Sequence, residues 1–365
     1  MRTDFCFRSL PLLGLALAAA CQRGESAARG GATSEGTPPA AAPLPAGDLL
    51  AYVTNEDSQE LTVVDTRNDS VVASFPVGTR PRGVHVSPDG RTVFVALSGS
   101  PKCPPTMPDE ECEKLKADKS KDGIAVVDAA TRTVSRILPG GSDPETFDIS
   151  PDGGTLFVSN EDAGVATIVD VASGKIRSTV TVGKEPEGVR VHPDGKTVWV
   201  TGETDHNVTI IDTKTGKSLG QVEVGKRPRS LVFTPDGSRA FVTSEVDGTV
   251  WVLDVATRKT LKVLTMPEGA KPMGTAASPD GKRIYISNGR GGTISVIDVA
   301  TDSVTATVKV GQRPWGIALT PDGRKLYTAN GPSNDVSVVN TETLSVEHTI
   351  PVGKIPWGVA IGRAP

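Results

Sequence analysis

Short runs in which apolar and polar residues alternate recur through most of the chain, and this period of two is typical of half-buried β-strands. One unit shows the pattern. Alternating runs cover 239–243, 249–253 and 261–263, and a further strand is predicted at 274–278. Val, Ile and Thr are frequent in these runs, and the chain has no long stretch with a helical period. Each unit is therefore predicted to form four short strands.

A recurring Pro-Asp-Gly turn gives the period of this repeat. The turn begins at Pro88, Pro151, Pro193, Pro235, Pro279 and Pro321, in steps of 63, 42, 42, 44 and 42 residues. Proline sets φ at its position, aspartate bonds to the nearby backbone and glycine accepts positive φ, so each copy predicts a tight hairpin turn. Four strands repeating about every 42 residues are typical of the blades of a β-propeller.

The phase of the repeat at its two ends predicts how the structure closes. The first unit opens at 50–54, which matches the second strand of the other units, and the last unit ends on a first strand at 357–361. Without its insertion, the repeat region holds about seven units. We therefore predict an all-β fold over 48–363. It is a single seven-bladed propeller of four-stranded antiparallel blades, in which the C-terminal strand completes the N-terminal blade.

The sequence of the second strand resembles that of a known family. Residues 52–55 are Tyr-Val-Thr-Asn, and variants stand at 157–160, 285–288 and 327–330. Val-Gly-x-x-Pro-x-Gly loops occur at 310–316 and 352–358. On these motifs the chain resembles the YVTN-family (YncE-like) β-propeller repeat proteins. The resemblance implies a secreted or surface propeller that mostly binds, with relatives among lactonase-type and quinoprotein-associated propellers. It transfers no catalytic residue to this chain.

The N-terminal segment predicts export. Residues 1–20 carry Arg2 and Arg8, an apolar run at 10–20 and small residues before Cys21, as in a secretory signal peptide. The apolar run is too short to span a bilayer. Residues 17–21 resemble a bacterial lipobox, which implies that Cys21 is lipidated. The alternative is ordinary cleavage that leaves Cys21 as a free thiol.

Residues 21–47 predict a disordered linker that is rich in Ala, Gly and Pro. Together with a lipidated Cys21, this linker would tether the propeller to a membrane surface. We expect a position in the bacterial cell envelope, lipid-anchored at the outer membrane or facing the periplasm, or an exported protein. We also expect a monomer.

The long 63-residue step places an insertion at 98–122, in the second blade. The insertion contains Cys103 and Cys112, and a signal peptide implies an oxidising compartment, so the two are predicted to form a disulfide. A zinc site would need further Cys or His ligands, which are not nearby in the sequence. A stapled loop suggests recognition, but a tolerated insertion at a loop tip is an equal alternative.

The net charge and the recurring aspartates limit the functions that the sequence predicts. The net charge is −4 without a basic stripe, which makes nucleic-acid binding unlikely. The aspartates that end the third strand of each unit, such as Asp254 and Asp298, are predicted to cap the following turn and not to bind metal. We predict no metal and no cofactor.

Positions that vary between repeats are the candidates for function. The residue after each loop proline begins the innermost strand and is predicted to lie at one mouth of the central channel. Trp and Arg at such positions are typical of binding hot spots. The alternative is that the charges form solvated pairs at the rim and the Trp rings cover neighbouring loop prolines. The predicted binding residues are Arg82, Glu145, Glu187, Arg229, Trp315 and Trp357.

Deeper in the channel, three consecutive blades carry His85, Asp148 and Arg190 where the other four carry small apolar residues. His and Asp on adjacent strands could form an acid–base pair. A buried charge network that fixes the blades is the other interpretation.

Two functional hypotheses follow from the sequence. The favoured one is a binding module for a protein, peptide or glycan partner in the cell envelope. The alternative is a lactonase-type hydrolase using His85, Asp148 and Arg190.

Overall fold

The computed structural model describes residues 47–102, 109–112 and 114–364. These residues form seven four-stranded antiparallel sheets. The first strand of each sheet packs against the first strands of both neighbouring sheets, which closes a ring around a central channel. The predicted all-β, seven-bladed propeller is confirmed. The predicted signal peptide, Cys21 and nearly all of the predicted linker lie outside the described residues.

The strands follow one another blade by blade. Blade 1 holds β1 (Leu49–Asn55), β2 (Glu60–Asp65) and β3 (Ser70–Pro76). Blade 2 holds β4 (Val84–Val86), β5 (Thr92–Leu97), β6 (Gly123–Asp128) and β7 (Thr133–Leu138). Blade 3 holds β8 (Pro144–Ile149), β9 (Thr155–Asn160), β10 (Val165–Asp170) and β11 (Lys175–Thr181). Blade 4 holds β12 (Pro186–Val191), β13 (Thr197–Gly202), β14 (Asn207–Asp212) and β15 (Lys217–Glu223).

The remaining blades repeat this arrangement. Blade 5 holds β16 (Pro228–Phe233), β17 (Arg239–Ser244), β18 (Thr249–Asp254) and β19 (Lys259–Thr265). Blade 6 holds β20 (Pro272–Ala277), β21 (Arg283–Asn288), β22 (Thr293–Asp298) and β23 (Ser303–Lys309). Blade 7 holds β24 (Pro314–Leu319), β25 (Lys325–Asn330), β26 (Asp335–Asn340) and β27 (Ser345–Pro351). The last strand is β28 (Pro356–Arg363).

Strand β28 closes the ring by joining blade 1. It pairs antiparallel with β1, with Tyr52 opposite Ala360 and Leu50 opposite Gly362. The strand order in this blade is β28-β1-β2-β3. The C-terminal strand thus supplies the innermost strand of the N-terminal blade, as the phase of the repeat predicts.

Apolar side chains fill the space between neighbouring blades. Within the described residues there is one buried cluster at each of the seven blade interfaces. Tyr52, Leu61 and Val93 pack between blades 1 and 2, and Val53 packs on Tyr327 between blades 1 and 7. Full burial of a Val or Leu side chain contributes roughly 1.5–3 kcal/mol, so these interfaces hold the ring together.

The two sets of recurring aspartates serve the turns. Asp254 ends β18 and accepts hydrogen bonds from the backbone N–H and the hydroxyl of Thr257, at 2.7 and 2.6 Å. In a Pro-Asp-Gly turn, Asp236 accepts from Thr234 Oγ1 at 2.5 Å and from the Ser238 N–H at 3.0 Å. These bonds lower the pKa of both carboxyl groups. Both aspartates cap turns, as predicted.

The loops divide between two faces of the ring. The loop after β1 hydrogen-bonds to the Gly-x-x-Pro loop before β28, through Glu56 N–H to the Ile355 carbonyl at 2.9 Å. We call the side that carries these loops the mouth face, and the side of the Pro-Asp-Gly turns the turn face. In the described part of the chain, no helix has the length and hydrophobicity needed to cross a membrane.

The insertion between β5 and β6 lies on the mouth face and contacts blades on both sides. It contains a short helix α1 (Asp109–Cys112) and a 3-10 helix (Lys119–Lys121). Lys102 pairs with Asp57 of blade 1 at 2.8 Å, and Lys119 pairs with Asp162 of blade 3. Its described ends therefore bridge blades 1 and 3. The predicted Cys103–Cys112 disulfide lies outside the residues whose side chains are described.

Candidate ligand-binding site

A β-bulge in the innermost strand decides which side chains line the channel. Between Pro186 and Val189 of β12, three residue steps pair with two steps of β13. Side chains alternate along a strand, so one extra residue brings Glu187 and Arg190 to the same side. Both residues line the channel. The same shift occurs in β8, β16, β20, β24 and β28.

The residue before each loop proline takes a left-handed conformation, which turns the chain into the channel. For side chains other than Gly this region is sparsely populated, and such residues concentrate at functional sites. Their φ angles lie between 43° and 61°. The seven residues are Arg80, Asp143, Glu185, Arg227, Lys271, Arg313 and Ile355.

The channel encloses a cavity of about 470 Å³, within the range of small-molecule sites. Near the mouth face its wall contains Glu187, Arg229, Met273, Trp315 and Trp357. His85 and Arg190 lie three residues further along their strands, roughly 10 Å deeper. At that depth blade 3 carries Asp148, and blades 5, 6, 7 and 1 present Val232, Ala276, Ala318 and Ala360.

Arg82 is buried among carboxylates of the next blade. Its Nη2 donates to Asp143 Oδ1 at 2.6 Å and to the Pro144 carbonyl at 3.2 Å. Its Nη1 contacts Glu145 and lies 3.4 Å from Glu161 Oε2. Burial raises the pKa of Glu145 well above its usual value; Arg82 opposes the shift and Glu161 adds to it. Arg82 and Glu145 therefore join blades 2 and 3 and are largely withdrawn from solvent.

Arg229 makes a second cluster of the same kind between blades 4 and 5. Its Nη1 contacts Glu187 and lies 2.7 Å from Glu203 Oε2, and its Nε donates to Glu245 Oε2 at 2.7 Å. Arg227 also pairs with Glu203. Burial raises the pKa of Glu203 to about 7, although Arg227 lowers it. One proton in this cluster therefore exchanges near neutral pH.

Trp315 and Trp357 form the apolar part of the mouth. Both are half-buried. Their ring centroids are 5.4 Å apart and the rings are inclined by 33°. The guanidinium groups of Arg229 and Arg313 lie over the Trp315 ring, at 5.6 and 5.2 Å from its centroid. Aromatic rings and arginine together form a surface that can hold a ligand.

Deeper in the channel, Asp148 lies between His85 and Arg190. Its Oδ1 is 3.6 Å from His85 Nδ1, and its Oδ2 is 3.8 Å from Arg190 Nη1. The carboxylate also accepts from the N–H of Ile149 at 2.9 Å and of Val191, in the next blade, at 2.8 Å. The structure thus brings together the three residues predicted at this level, and Asp148 links two blades.

The surroundings of His85 shift its pKa. Burial lowers its pKa; Asp148 opposes the shift, and Arg190 adds to it. Its ring lies 5.1 Å from Phe147. The lowered pKa favours the uncharged imidazole, whose free ring nitrogen is a proton acceptor.

The six residues predicted to bind a ligand divide into two groups. Arg82, Glu145, Glu187 and Arg229 are 9% exposed or less and are engaged in ion pairs. Trp315 and Trp357 remain accessible from the channel. Among the described residues, no group of three or more His, Cys, Asp and Glu side chains could hold a metal ion.

Four glutamates at the mouth were not predicted from the sequence as site residues. Glu56 accepts from Arg80 Nε at 2.9 Å and pairs with Lys102 at 3.2 Å. Its equivalents in three other blades contact Arg82, Arg227 or Arg229. Each stands directly after the second strand of its blade, and this repeated position is the signal that could have identified them. The four residues are Glu56, Glu161, Glu203 and Glu245.

Comparison with known families agrees with this architecture. Residues 214–349 match the family model described as Lactonase, 7-bladed beta-propeller. Residues 33–246, more than half of the chain, match the model described as SMP-30/Gluconolactonase/LRE-like region. Fold and matches together define a β-propeller whose sequence is similar to both of these families. The chain belongs to the SMP-30/Gluconolactonase/LRE-like family.

Solved structures share the fold at low sequence identity. A putative 6-phosphogluconolactonase from Bacteroides uniformis superposes with a TM-score of 0.71 at 17% identity, covering 87% of this chain and 100% of that one. Hydrazine synthase from Kuenenia stuttgartiensis superposes with a TM-score of 0.68 at 22% identity, covering 85% of this chain and 99% of that one. These similarities establish the fold alone.

A curated relative matches only part of the chain. Antigen Lp49 of Leptospira interrogans is 30% identical over 109 residues. The match covers 30% of this chain and 22% of the antigen, so the chain spans about a fifth of that relative.

Proposed function

We propose that the protein is a ligand-binding propeller whose site is the mouth of the central channel. The observation that carries this proposal is the half-exposed pair Trp315 and Trp357, which borders a cavity of about 470 Å³ beside Arg313. Buried pairs around Arg82 and Arg229 fix the surrounding strands, so the aromatic pair is held on a rigid support.

The cellular location of the protein and the class of its partner belong to the same proposal. The resemblance to YVTN-type propellers supports a binding role at a cell surface, with a protein, peptide or glycan of the envelope as partner. Lipidation of Cys21 would hold the propeller there. Incorporation of a palmitate analogue into the wild type and into Cys21→Ser tests the anchor, and equal labelling of both would exclude it.

The binding role is tested on arrays of oligosaccharides and peptides with the purified propeller. Removing a central aromatic anchor typically costs about 2–4 kcal/mol of binding, so Trp315→Ala with Trp357→Ala should abolish retention of whatever the wild type binds. The control combines Lys196→Ala and Lys282→Ala, two exposed positions on the turn face. Loss of binding in this control but not in the tryptophan variant would show that the ligand binds on the turn face and that the proposed site is wrong.

Lactone hydrolysis is the second candidate, and the convergence of His85, Asp148 and Arg190 favours it. The matches to lactonase-type families support the same reaction. His85 would take a proton from water as that water attacks the lactone carbonyl, and Arg190 would stabilise the negative oxygen that forms. The ring C–O bond then breaks, and the imidazolium returns the proton to the departing alkoxide.

A screen of sugar and acyl lactones tests this candidate. If it is correct, His85→Ala should abolish turnover, and Arg190→Gln should reduce kcat by about 10²–10³-fold. Neither change should affect ligand retention by the tryptophan pair. Absence of turnover by the wild type on every lactone, or full activity of His85→Ala, would eliminate the reaction.

A further inference from the structure

We infer that the outer rim of blade 5, formed by β19 and the neighbouring residues of β18, binds a strand of another protein. The bound strand joins apolar residues to acidic ones. The rim lies on the outside of the ring, away from the channel, so this partner is separate from the ligand of the mouth. Three features of the rim support the inference: an exposed apolar pair, unpaired backbone groups at the sheet edge, and charge of one sign.

The repeat changes from polar to apolar at one exposed pair of the rim. In blades 1, 3, 4, 6 and 7, the third residue of the third strand and its partner on the outermost strand are both polar, as in Thr167 and Thr179. In blade 5 they are Trp251 and Val263. Val263 is 42% exposed, and Leu261, two residues earlier, is 53% exposed. A tryptophan beside exposed aliphatic side chains is typical of a surface that a partner covers.

Hydrogen bonding within the blade does not explain the tryptophan. In blade 3, Thr167 donates a hydrogen bond to Asn160. The corresponding residues of blade 5 are Trp251 and Ser244, and neither the indole N–H nor the serine hydroxyl has a partner within the described part of the chain. Trp251 packs partly on the apolar cluster between blades 4 and 5 and is partly exposed. Its exposed part is therefore free to contact another molecule.

The edge of β19, the outermost strand of its sheet, offers backbone groups to an added strand. Met266 donates its N–H inward to the Gly248 carbonyl at 2.9 Å. Alternate residues of an antiparallel strand bond to the same side, so the N–H and C=O groups of Val263 and Thr265 point outward. In three other blades a proline stands at the position of Thr265 and removes the outward N–H. These prolines are Pro76, Pro139 and Pro351 of blades 1, 2 and 7.

The charge of this edge selects an acidic partner. Arg258, Lys259 and Lys262 lie on β19 or in the turn before it, and the only carboxylate of that segment, Asp254, caps the turn. Arg258 and Lys262 donate to neutral backbone carbonyls. Two copies of β19 paired with each other would bring these cations together, whereas an acidic strand would place carboxylates beside them. Since the cations precede Val263, an antiparallel partner would carry its apolar residues first and its acidic residues after them.

Fluorescence anisotropy with two dye-labelled peptides tests the inference on the purified propeller. Both peptides alternate Val and Thr over most of their length, and one ends in two aspartates while the other ends in two lysines. We expect the acidic peptide to bind at least about tenfold more tightly than the basic one, because the cations of the rim attract one and repel the other. Equal binding of the two peptides, or no binding of either, would overturn the inference.

Two variants introduce residues that other blades carry at the same positions, so both are compatible with the fold. Trp251→Thr with Val263→Thr recreates the polar pair of blade 3, and Thr265→Pro recreates the proline of blades 1 and 7. Each should weaken binding of the acidic peptide at least about tenfold, since one removes the apolar contact and the other the outward N–H. Ile137→Thr, which removes an exposed apolar residue from the rim of blade 2, should have no effect.

Two further results would overturn the inference. Wild-type affinity in either rim variant would show that the apolar pair or the strand pairing is not required. Analytical ultracentrifugation tests the other occupant, because self-association of the wild type that both variants abolish would identify a second copy of this chain as the partner.

Discussion

Glu203 is a carboxyl group whose protonation depends on its burial among other charges. It is 7% exposed and contacts both Arg227 and Arg229. Burial raises its pKa from 4.5 to about 7. Between these two values the folded protein binds more protons than the unfolded chain. The contribution of Glu203 to stability is therefore complete below the lower value and is lost as pH rises through the upper one.

This shift gives a prediction for Glu203→Gln, which cannot ionise. As pH rises from about 5 to about 8, the melting temperature of the wild type should fall relative to that of the variant, because only the wild type acquires a buried charge. Differential scanning calorimetry across this range measures the difference. Other titrating groups are present in both proteins and cancel.

Glu268→Gln provides the control, because Glu268 is exposed on the mouth face. Its melting temperature should follow the wild type at every pH. A difference between wild type and Glu203→Gln that stays constant with pH would contradict the raised pKa.

At the scale of the element, a recurring contact on the turn face joins the second strand of one blade to the next blade. Lys325, at the start of β25, donates to the Thr66 carbonyl at 2.8 Å and pairs with Asp69 at 2.7 Å. Arg239, at the start of β17, pairs with Asp302 at 3.0 Å. Asp69 and Asp302 hold the same position in their turns, and both have positive φ. The contact is therefore part of the repeat.

The two aspartates differ in burial, and this difference predicts unequal losses. The side chain of Asp69 is 2% exposed and that of Asp302 is 20% exposed. Asn tolerates positive φ, so the substitution removes the charge and one acceptor oxygen without straining the backbone. We expect Asp69→Asn to lose about 2–3 kcal/mol of unfolding free energy, since Lys325 loses its charged partner and a single oxygen remains to accept from Lys325 and Tyr327. Asp302→Asn should lose less than about 1 kcal/mol. Urea denaturation measures both, and equal losses would refute the argument from burial.

The repeat explains why some of these features could be predicted from sequence and others could not. The turns capped by Asp254 and Asp236 involve residues close in the chain, so their role follows from local spacing. The pairing of Arg82 with Glu145 joins two blades, and its geometry depends on the bulge and on the packing between strands. Both residues could be assigned to the mouth from the sequence, but their contact with each other could not.

At the scale of the whole molecule, blade number and closure follow from the period and phase of the repeat. Both are visible in sequence because blades 2 to 7 each contribute one copy of the same turn, and blade 1 is divided between the two ends of the repeat. The availability of a site at the mouth depends on which charges remain unpaired after the ring closes. Arg229 is paired with a carboxylate, whereas Arg313 lies over the Trp315 ring. This difference is visible only in the three-dimensional arrangement.

Because β28 closes the ring, we predict that removal of residues 356–365 severely destabilises the fold. Without β28, the edge of β1 is exposed and the channel wall opens between blades 7 and 2. We expect loss of the cooperative thermal transition or aggregation, measured by calorimetry and size-exclusion chromatography. A synthetic peptide of residues 356–365 should restore part of the transition. An unchanged melting temperature in the truncated protein would show that the closing strand is dispensable.

The pairing of β1 with β28 also determines when the ring can close during protein synthesis. Their contact joins residues separated by about 300 positions, such as Asn55 and Pro356. At a synthesis rate of about 5–20 residues per second, β1 leaves the ribosome roughly 15–60 s before its partner exists. During that interval its edge can pair only with other strands or other chains. The ring can therefore close only after β28 has been made, and the interval before this docking step is the period when the new chain is most exposed to mispairing.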